Sequence, residues 1–287
     1  MSGKTIISAC LFIIMLLCRT TGLSAQITSL SVFPAKIMQG DPFLTQIENT
    51  EISSIKKLSF NGKKINIFSY QNKPSALVGV DLNRKPGNYE LLVEFINGDI
   101  VKKNLEIIKR DKTEIPLGIP EKLGGNTKTS QEKLVTTLNE DNKSLIGIHT
   151  NKKTLWTAKF ISPLKNIFIT DPYGNSRKTG AYSIPHKGVD YRAKEGAEIM
   201  AINRGVVRIV KTFRNHGKTI VVDHGMGLMS FYLHLSKFKV KVGDVVKQGQ
   251  IIGLSGKTGY TLGAHLHFAI RINDIAIDPV KFFELFK

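Results

Sequence analysis

The sequence predicts a mainly β protein: a β-sandwich module, a connector carrying one helix, and a second, antiparallel β-rich domain. Three observations carry that expectation. Short strand-like runs recur between residues 27 and 109, separated by the hairpin signals Asn61-Gly62 and Asn97-Gly98-Asp99. A second series begins near Trp156, broken by glycine-containing turns such as His216-Gly217-Lys218 and His224-Gly225-Met226-Gly227. Between the two, Pro116, Gly118, Pro120, Gly124 and Gly125 interrupt regular structure ahead of one helical stretch. With 287 residues, 41% hydrophobic and 22% charged, the chain is long enough for two ordinary domains with real cores.

Residues 1–25 read as a targeting segment. Lys4 supplies the positive start, Ile6 to Cys18 is an almost unbroken apolar run, and Thr20 to Ala25 is small and polar. The run is shorter than the roughly 20 residues that a membrane span needs. Cleavage near Ala25–Gln26, export to the periplasm or cell wall, and no stable membrane span afterwards are the expectations. Both cysteines, Cys10 and Cys18, fall in this segment, so the mature chain could form no disulfide. The full chain carries a formal charge of +18, and losing Lys4 and Arg19 leaves +16. A basic exported protein meets anionic wall and membrane surfaces first. No basic helix, zinc-finger spacing or aromatic RNA-binding signature points to nucleic acid. A monomer is expected.

Residues 26–109 form the first unit. Strand candidates are Phe43 to Ile47, Lys57 to Phe60, Ile65 to Ser69, Ala76 to Asp81, Tyr89 to Phe95 and Ile100 to Ile108. Turns every 8–12 residues suggest a sandwich, and its arrangement resembles the immunoglobulin-like modules of exported bacterial proteins. A spacer or adhesion role follows by default. Residues 110–154 are the connector, in which Thr129-Ser130-Gln131-Glu132 reads as a capping box opening a helix to about Leu145. That helix either docks on the domain surface or occludes a catalytic groove.

Residues 155–287 form the second β-rich domain. Its strand candidates are Glu198 to Ala201, Val206 to Lys211, Thr219 to Asp223, Met229 to Leu235, Ile251 to Leu254 and Leu266 to Ile272. Asp278-Pro279 then caps a short helix through Phe286, with Asp at the cap and Pro at the first position.

Chemistry concentrates between His186 and His267, a segment in which His186, His234, His265 and His267, four of the seven histidines, fall at suggestive spacings. His186 and Asp190 supply a neutral nitrogen and an anionic oxygen, donors that Zn²⁺ accepts. His265 and His267, two apart in an alternating stretch, would share one face of a strand. Three protein ligands make a catalytic zinc site and four a structural one, and here histidines are left over to move protons. The spacing does not say which of the close pair binds. His149, His216 and His224 fit no ligand spacing.

Six stretches, in order, resemble the lysostaphin-type metallopeptidases, peptidase family M23. They are Pro172-Tyr173-Gly174, His186-Lys187-Gly188-Val189-Asp190-Tyr191, Val221-Val222-Asp223-His224-Gly225, Tyr232-Leu233-His234-Leu235-Ser236, Val242-Gly243-Asp244 and Gly263-Ala264-His265-Leu266-His267-Phe268. The resemblance covers roughly residues 156–285. It implies one Zn²⁺ per chain held by His186, Asp190 and His267, with His234 and His265 as catalytic residues acting on substrate. It implies hydrolysis of the peptide stems or cross-links of peptidoglycan by a zinc-bound water, whose pKa falls from 15.7 to roughly 7. His265 would act as general base, and His234 would steady the oxyanion or protonate the leaving amine. Ala264 stands where many relatives have proline. The polar stretch Asn175 to Ser183 is expected to be a loop shaping the groove, with Tyr182 at its border. The alternative implied by ligand-losing relatives is a non-catalytic regulator that activates other wall hydrolases.

Overall fold

The computed structural model describes residues 28–286, so the segment read as a targeting signal lies outside the described residues. Among the described residues no helix is long and apolar enough to cross a membrane. The first unit is a two-sheet sandwich. One sheet orders Leu30–Phe33, Pro42–Ile47, Lys73–Gly79 and Phe68–Tyr70. The other orders Ile37–Met38, Ile100–Ile108, Gly87–Phe95, Ile55–Phe60 and Lys63–Lys64, with the first pair parallel. Alternate residues from both sheets, including Phe43, Ile47, Val78, Leu58, Leu91 and Ile107, meet in one buried cluster. Four strands thus face a five-stranded sheet that begins with a parallel edge. The run expected from Ile65 to Ser69 is split. Residues 65–67 leave the ladder between Lys63–Lys64 and Phe68–Tyr70.

The second unit is built on an eight-stranded sheet. Its order runs Ile169–Asp171, Val189–Arg192, His265–Ile272, Leu228–Leu235, Gly217–Gly225, Gly205–Phe213 and Val245–Val246, with Ile275–Ile277 also paired to His265–Ile272. The period of two divides its faces. Leu266, Phe268, Ile270 and Ile272 enter the main core with Leu228 and Tyr232. Met229, Phe231, Leu233 and Ala269 form a separate apolar cluster on the opposite face. The closing helix is Pro279–Glu284, with Asp278 accepting from the backbone of Val280 and Lys281 as its cap.

The two units are not joined by a free linker. Leu44, Phe68, Leu77 and Leu82 of the first belong to the main core of the second. Phe68 packs edge-on against Trp156 at 5.2 Å, and Tyr70 against Phe286 at 5.6 Å. Arg110, where the sandwich ends, bonds to Asp41 of the first unit and, at 3.1 Å, to Asp278 of the second.

The connector departs from its sequence reading in two ways. Thr127, not Thr129, caps the helix: its side chain accepts from Ser130 N at 3.2 Å, and the helix is Lys128–Lys143. Thr127 is the residue with extended backbone, and Thr129 already lies within the helix. Before the helix, Glu114–Pro116 forms a short strand parallel to Ser176–Thr179. Ser176–Thr179 itself pairs with Tyr182–Pro185, so the stretch expected to be a loop is a hairpin turning near Gly180, at φ 55°.

Candidate active site

The sheet register brings the expected ligands together. Asp190 and His267 are directly opposed on neighbouring strands, and Leu233 faces His267 from the other side. His186 lies just before the strand Val189–Arg192, fixed by its backbone bonds to Gly174 and Asn175. A Cβ at Gly188 would stand 2.6 Å from His267 Nε2 and 2.7 Å from the Phe268 carbonyl oxygen, so this close approach requires glycine.

His186 Nε2, Asp190 Oδ1 and His267 Nδ1 are mutually near: 3.1 Å between the nitrogens, 3.2 Å from His186 to Asp190 and 2.7 Å from His267 to Asp190. Donors bound tetrahedrally at about 2.05 Å stand about 3.3 Å apart. The first two separations match within a few tenths of an ångström. The third has the length of a hydrogen bond. All three residues are mostly buried, and they are the group that could hold a metal ion among the described residues. The other His186 nitrogen, Nδ1, donates to the Pro172 carbonyl oxygen at 2.9 Å, which leaves the Nε2 lone pair for a metal.

The electrostatics suit a cation. Burial alone would raise the Asp190 pKa, but hydrogen bonds from His186 and His267 hold it well below the usual range. Burial likewise works against charge on His186, yet Asp171 and Asp190 beside it raise its pKa. A buried nitrogen between two carboxylates draws a positive charge, whether a proton or a metal. His267 is pushed down to about 4 by burial, with Asp190 opposing, so it is a neutral donor at neutral pH. The donor set fits zinc.

His234 and His265 complete the group. Strict alternation along Leu228–Leu235 would turn His234 toward the main core with Tyr232. Instead His234 takes φ 60°, a left-handed conformation uncommon for a side-chain-bearing residue, while Leu235 goes to the core. Its ring lies 4.8 Å from that of His265 and 6.1 Å from that of His267. Its Nδ1 meets the Thr258 carbonyl oxygen at 2.9 Å, leaving Nε2 available. Burial, followed by the neighbouring histidines, holds its pKa well below the ordinary value. His265 is oriented the same way, with Nδ1 3.0 Å from the Gly263 carbonyl oxygen and Nε2 3.8 Å from Asp190 Oδ1.

Residues 184–279 match the profile of peptidase family M23. Over that stretch, about a third of the chain, the sequence is similar to that family. The peptidoglycan DD-endopeptidase ShyB of Vibrio cholerae is 36% identical over 116 residues, 39% of this chain and 27% of that protein. Lysostaphin of Staphylococcus staphylolyticus is 39% identical over 104 residues, 34% of this chain and 22% of that protein. A solved Pseudomonas aeruginosa protein assigned to peptidase M23 aligns with a TM-score of 0.65 at 25% identity, covering 88% of this chain and 96% of its own. That coverage includes both β-rich units. The chain spans about a quarter of the length of the curated relatives it matches, 24%, 25% and 27% for three of them.

Beside His186, Asp190 and His267, the structure adds residues that the motifs did not single out. Arg177 bonds to both Asp190 and Asp171, and Asp171 Oδ2 lies 3.3 Å from His186 Nδ1. Tyr260, not Tyr182, lines the cavity of about 590 Å³ that opens onto His186, His234 and His267. His224 and His216 lie outside the ligand group, as their spacing implied. His224 is fully buried, bonded to Arg204 O and Ser230 Oγ, and pushed by burial to about 4. His216 faces Asn142 at 3.2 Å.

One wall of the cavity is the connector. After the strand Glu114–Pro116, Leu117 N donates to Lys178 O at 2.7 Å, and Gly118 O accepts from Tyr260 OH at 2.6 Å. The chain thus crosses from the hairpin side of the cavity to the 255–264 loop. The helix then lies along that side. Leu134 and Leu138 line the cavity, and Asp141 accepts from the backbone of Asn215 at 2.7 Å. Beyond the helix, Leu145 is buried in the cluster on the cavity face of the sheet.

Proposed function

We propose that the protein is an exported, zinc-dependent endopeptidase that hydrolyses the stem peptides or peptide cross-links of peptidoglycan. The observation that carries this is the convergence of His186, Asp190 and His267 within 2.7 to 3.2 Å, beside two further oriented histidines. The printed names of ShyB and lysostaphin, and the M23 match, support the substrate class. When bound, zinc supplies a Lewis acid and a water acidic enough to react at neutral pH. The protein's own residues do the rest. Pro172 O fixes His186, so that Nε2 points inward. His265, tied through Nδ1, offers Nε2 to take the water's proton as its oxygen bonds to the peptide carbonyl carbon. His234, neutral and buried, is placed beside the carbonyl oxygen as that atom gains charge. The C–N bond then breaks, and the proton passes to the leaving amine.

His265→Gln and His234→Gln should therefore keep their zinc while cleavage of purified sacculi falls about 10²- to 10⁴-fold. Metal analysis beside a peptide-release assay checks both halves. Equal activity in either variant would remove that histidine from the mechanism.

Access is proposed to depend on the 114–146 strap. Cross-linked wall is far bulkier than the cavity, which is bridged on one side by Leu117 and Gly118 and walled by Leu134. Leu134→Asp removes a buried anchor that is 6% exposed. Its loss should weaken closure by about 2 kcal/mol or more, and each 1.4 kcal/mol is tenfold. Sacculus cleavage should rise about tenfold, while cleavage of a short soluble peptide changes less. Unchanged or slower sacculus cleavage by the folded variant would make the helix a plain docking element.

A further inference from the structure

We propose that Arg177 is a positioning residue for the metal centre: its guanidinium claims the outer oxygen of Asp190, so that this carboxylate meets the cation through its inner oxygen alone. The proposal deepens the zinc-peptidase reading above and rests on it.

The Asp190 carboxylate is divided between two environments. Oδ1 faces His267 Nδ1 at 2.7 Å and His186 Nε2 at 3.2 Å. Oδ2 accepts instead from Arg177 Nη2. The same guanidinium reaches Asp171 Oδ2 through Nη2 at 2.5 Å and through Nε at 2.8 Å. Asp171 is in turn held by Asn175 Nδ2 at 2.7 Å and sits 3.3 Å from His186 Nδ1. One cation thus orients one ligand directly and touches the acid beside another.

Arg177 is no wandering surface chain. Its side chain is 21% exposed, and its strand is paired on both edges, to Tyr182–Pro185 on one side and to Glu114–Pro116 on the other, where Ile115 faces it. A rigid fork of donors can serve two carboxylates at once, which a lysine ammonium on a flexible stem does poorly.

The chemistry gives this arrangement a purpose. Carboxylates bind divalent cations through one oxygen or both. A hydrolytic zinc site with three protein ligands needs its remaining position for water. With the outer oxygen committed to Arg177, Asp190 is kept to one donor atom. Without the guanidinium, that oxygen is free to turn inward.

The test compares full-length wild type, Arg177→Gln and Arg177→Lys, each measured for zinc content and then for the visible spectrum of its cobalt(II)-substituted form. Cobalt absorbs strongly with four ligands and weakly with more. All three proteins should take up cobalt. The Gln variant should absorb more weakly, and its kcat on a defined cross-linked muropeptide should fall about 10- to 100-fold with KM little changed. The Lys variant should recover part of both. A wild type that binds neither zinc nor cobalt would remove the zinc-peptidase reading itself. If wild type binds metal but the Gln variant shows an unchanged spectrum or an unchanged kcat, or if Lys recovers nothing, Arg177 is an ordinary ion pair and the proposal fails. Should the Gln variant not fold, the spectrum and kcat of the Lys variant decide: intermediate values uphold the proposal, and wild-type values overturn it.

Discussion

Replacing His267 by alanine should strip the zinc and reduce peptidoglycan cleavage by about 10³-fold or more. The metal is asked to supply several kcal/mol of transition-state stabilisation, and about 4 kcal/mol corresponds to three decades of rate. His267 is the ligand whose loss is hardest to mend. It is opposed by Asp190 across the sheet and by Leu233 on its other flank, so no other donor can move into its place without breaking the ladder. Backbone damage should be slight, because His267 sits within a strand held by both neighbours. Metal analysis, a melting curve and a sacculus digestion on one preparation check the three parts. Near-normal cleavage by a zinc-free His267→Ala protein would refute the assignment.

Arg110→Ala should lower stability by about 3–5 kcal/mol, a fall of about 10 °C in melting temperature. Arg110 is 11% exposed and is bonded to Asp41 and Asp278, whose side chains are 3% and 9% exposed. Its Nε also donates to Gln39 O at 2.7 Å. Removing the guanidinium leaves two buried carboxylates facing each other without a counter-charge. The pH dependence has a definite sign. Burial raises the Asp41 pKa even with Arg110 present, and without Arg110 it must rise further. A carboxyl with a raised folded pKa is stabilising when protonated, and that contribution is lost as pH rises through the folded pKa. The deficit of Arg110→Ala should therefore shrink as pH is lowered from 7 toward the carboxylate range. Melting curves across that range measure it, and a constant deficit would locate the effect elsewhere.

The sequence was most legible where local rules and tertiary demand agree. The strands Ile100–Ile108 and Ile251–Leu254 were read to the residue, because alternation or an apolar run was bounded by turn residues. His186, Asp190 and His267 were legible through the family's motifs; spacing alone left His265 and His267 equivalent. The register distinguishes them: His267 faces Asp190 whereas His265 faces Arg192. The stretch Asn175 to Ser183 reads as a loop because Ser, Arg, Lys and Thr carry little strand signal, yet most of it lies in the hairpin Ser176–Pro185. It forms because the connector strand Glu114–Pro116 completes its edge, a partner some 60 residues away. Arg177 was invisible for the same reason: its two carboxylate partners meet only once that hairpin is built. Arg110 fell at the expected domain boundary, where sequence reading looks for a linker and not for a clamp. His234 broke its strand's alternation through a backbone conformation that no side-chain pattern announces.

The most direct test of the central claim is anomalous diffraction at the zinc edge from crystals of the purified protein, with sacculus digestion run on the same preparation with and without chelator. The account predicts a single zinc peak among His186 Nε2, Asp190 Oδ1 and His267 Nδ1 at about 2.0–2.2 Å from each, with peptide release that chelator stops and added zinc restores. A zinc-loaded protein whose metal lies elsewhere, or peptide release indifferent to chelator, would contradict it.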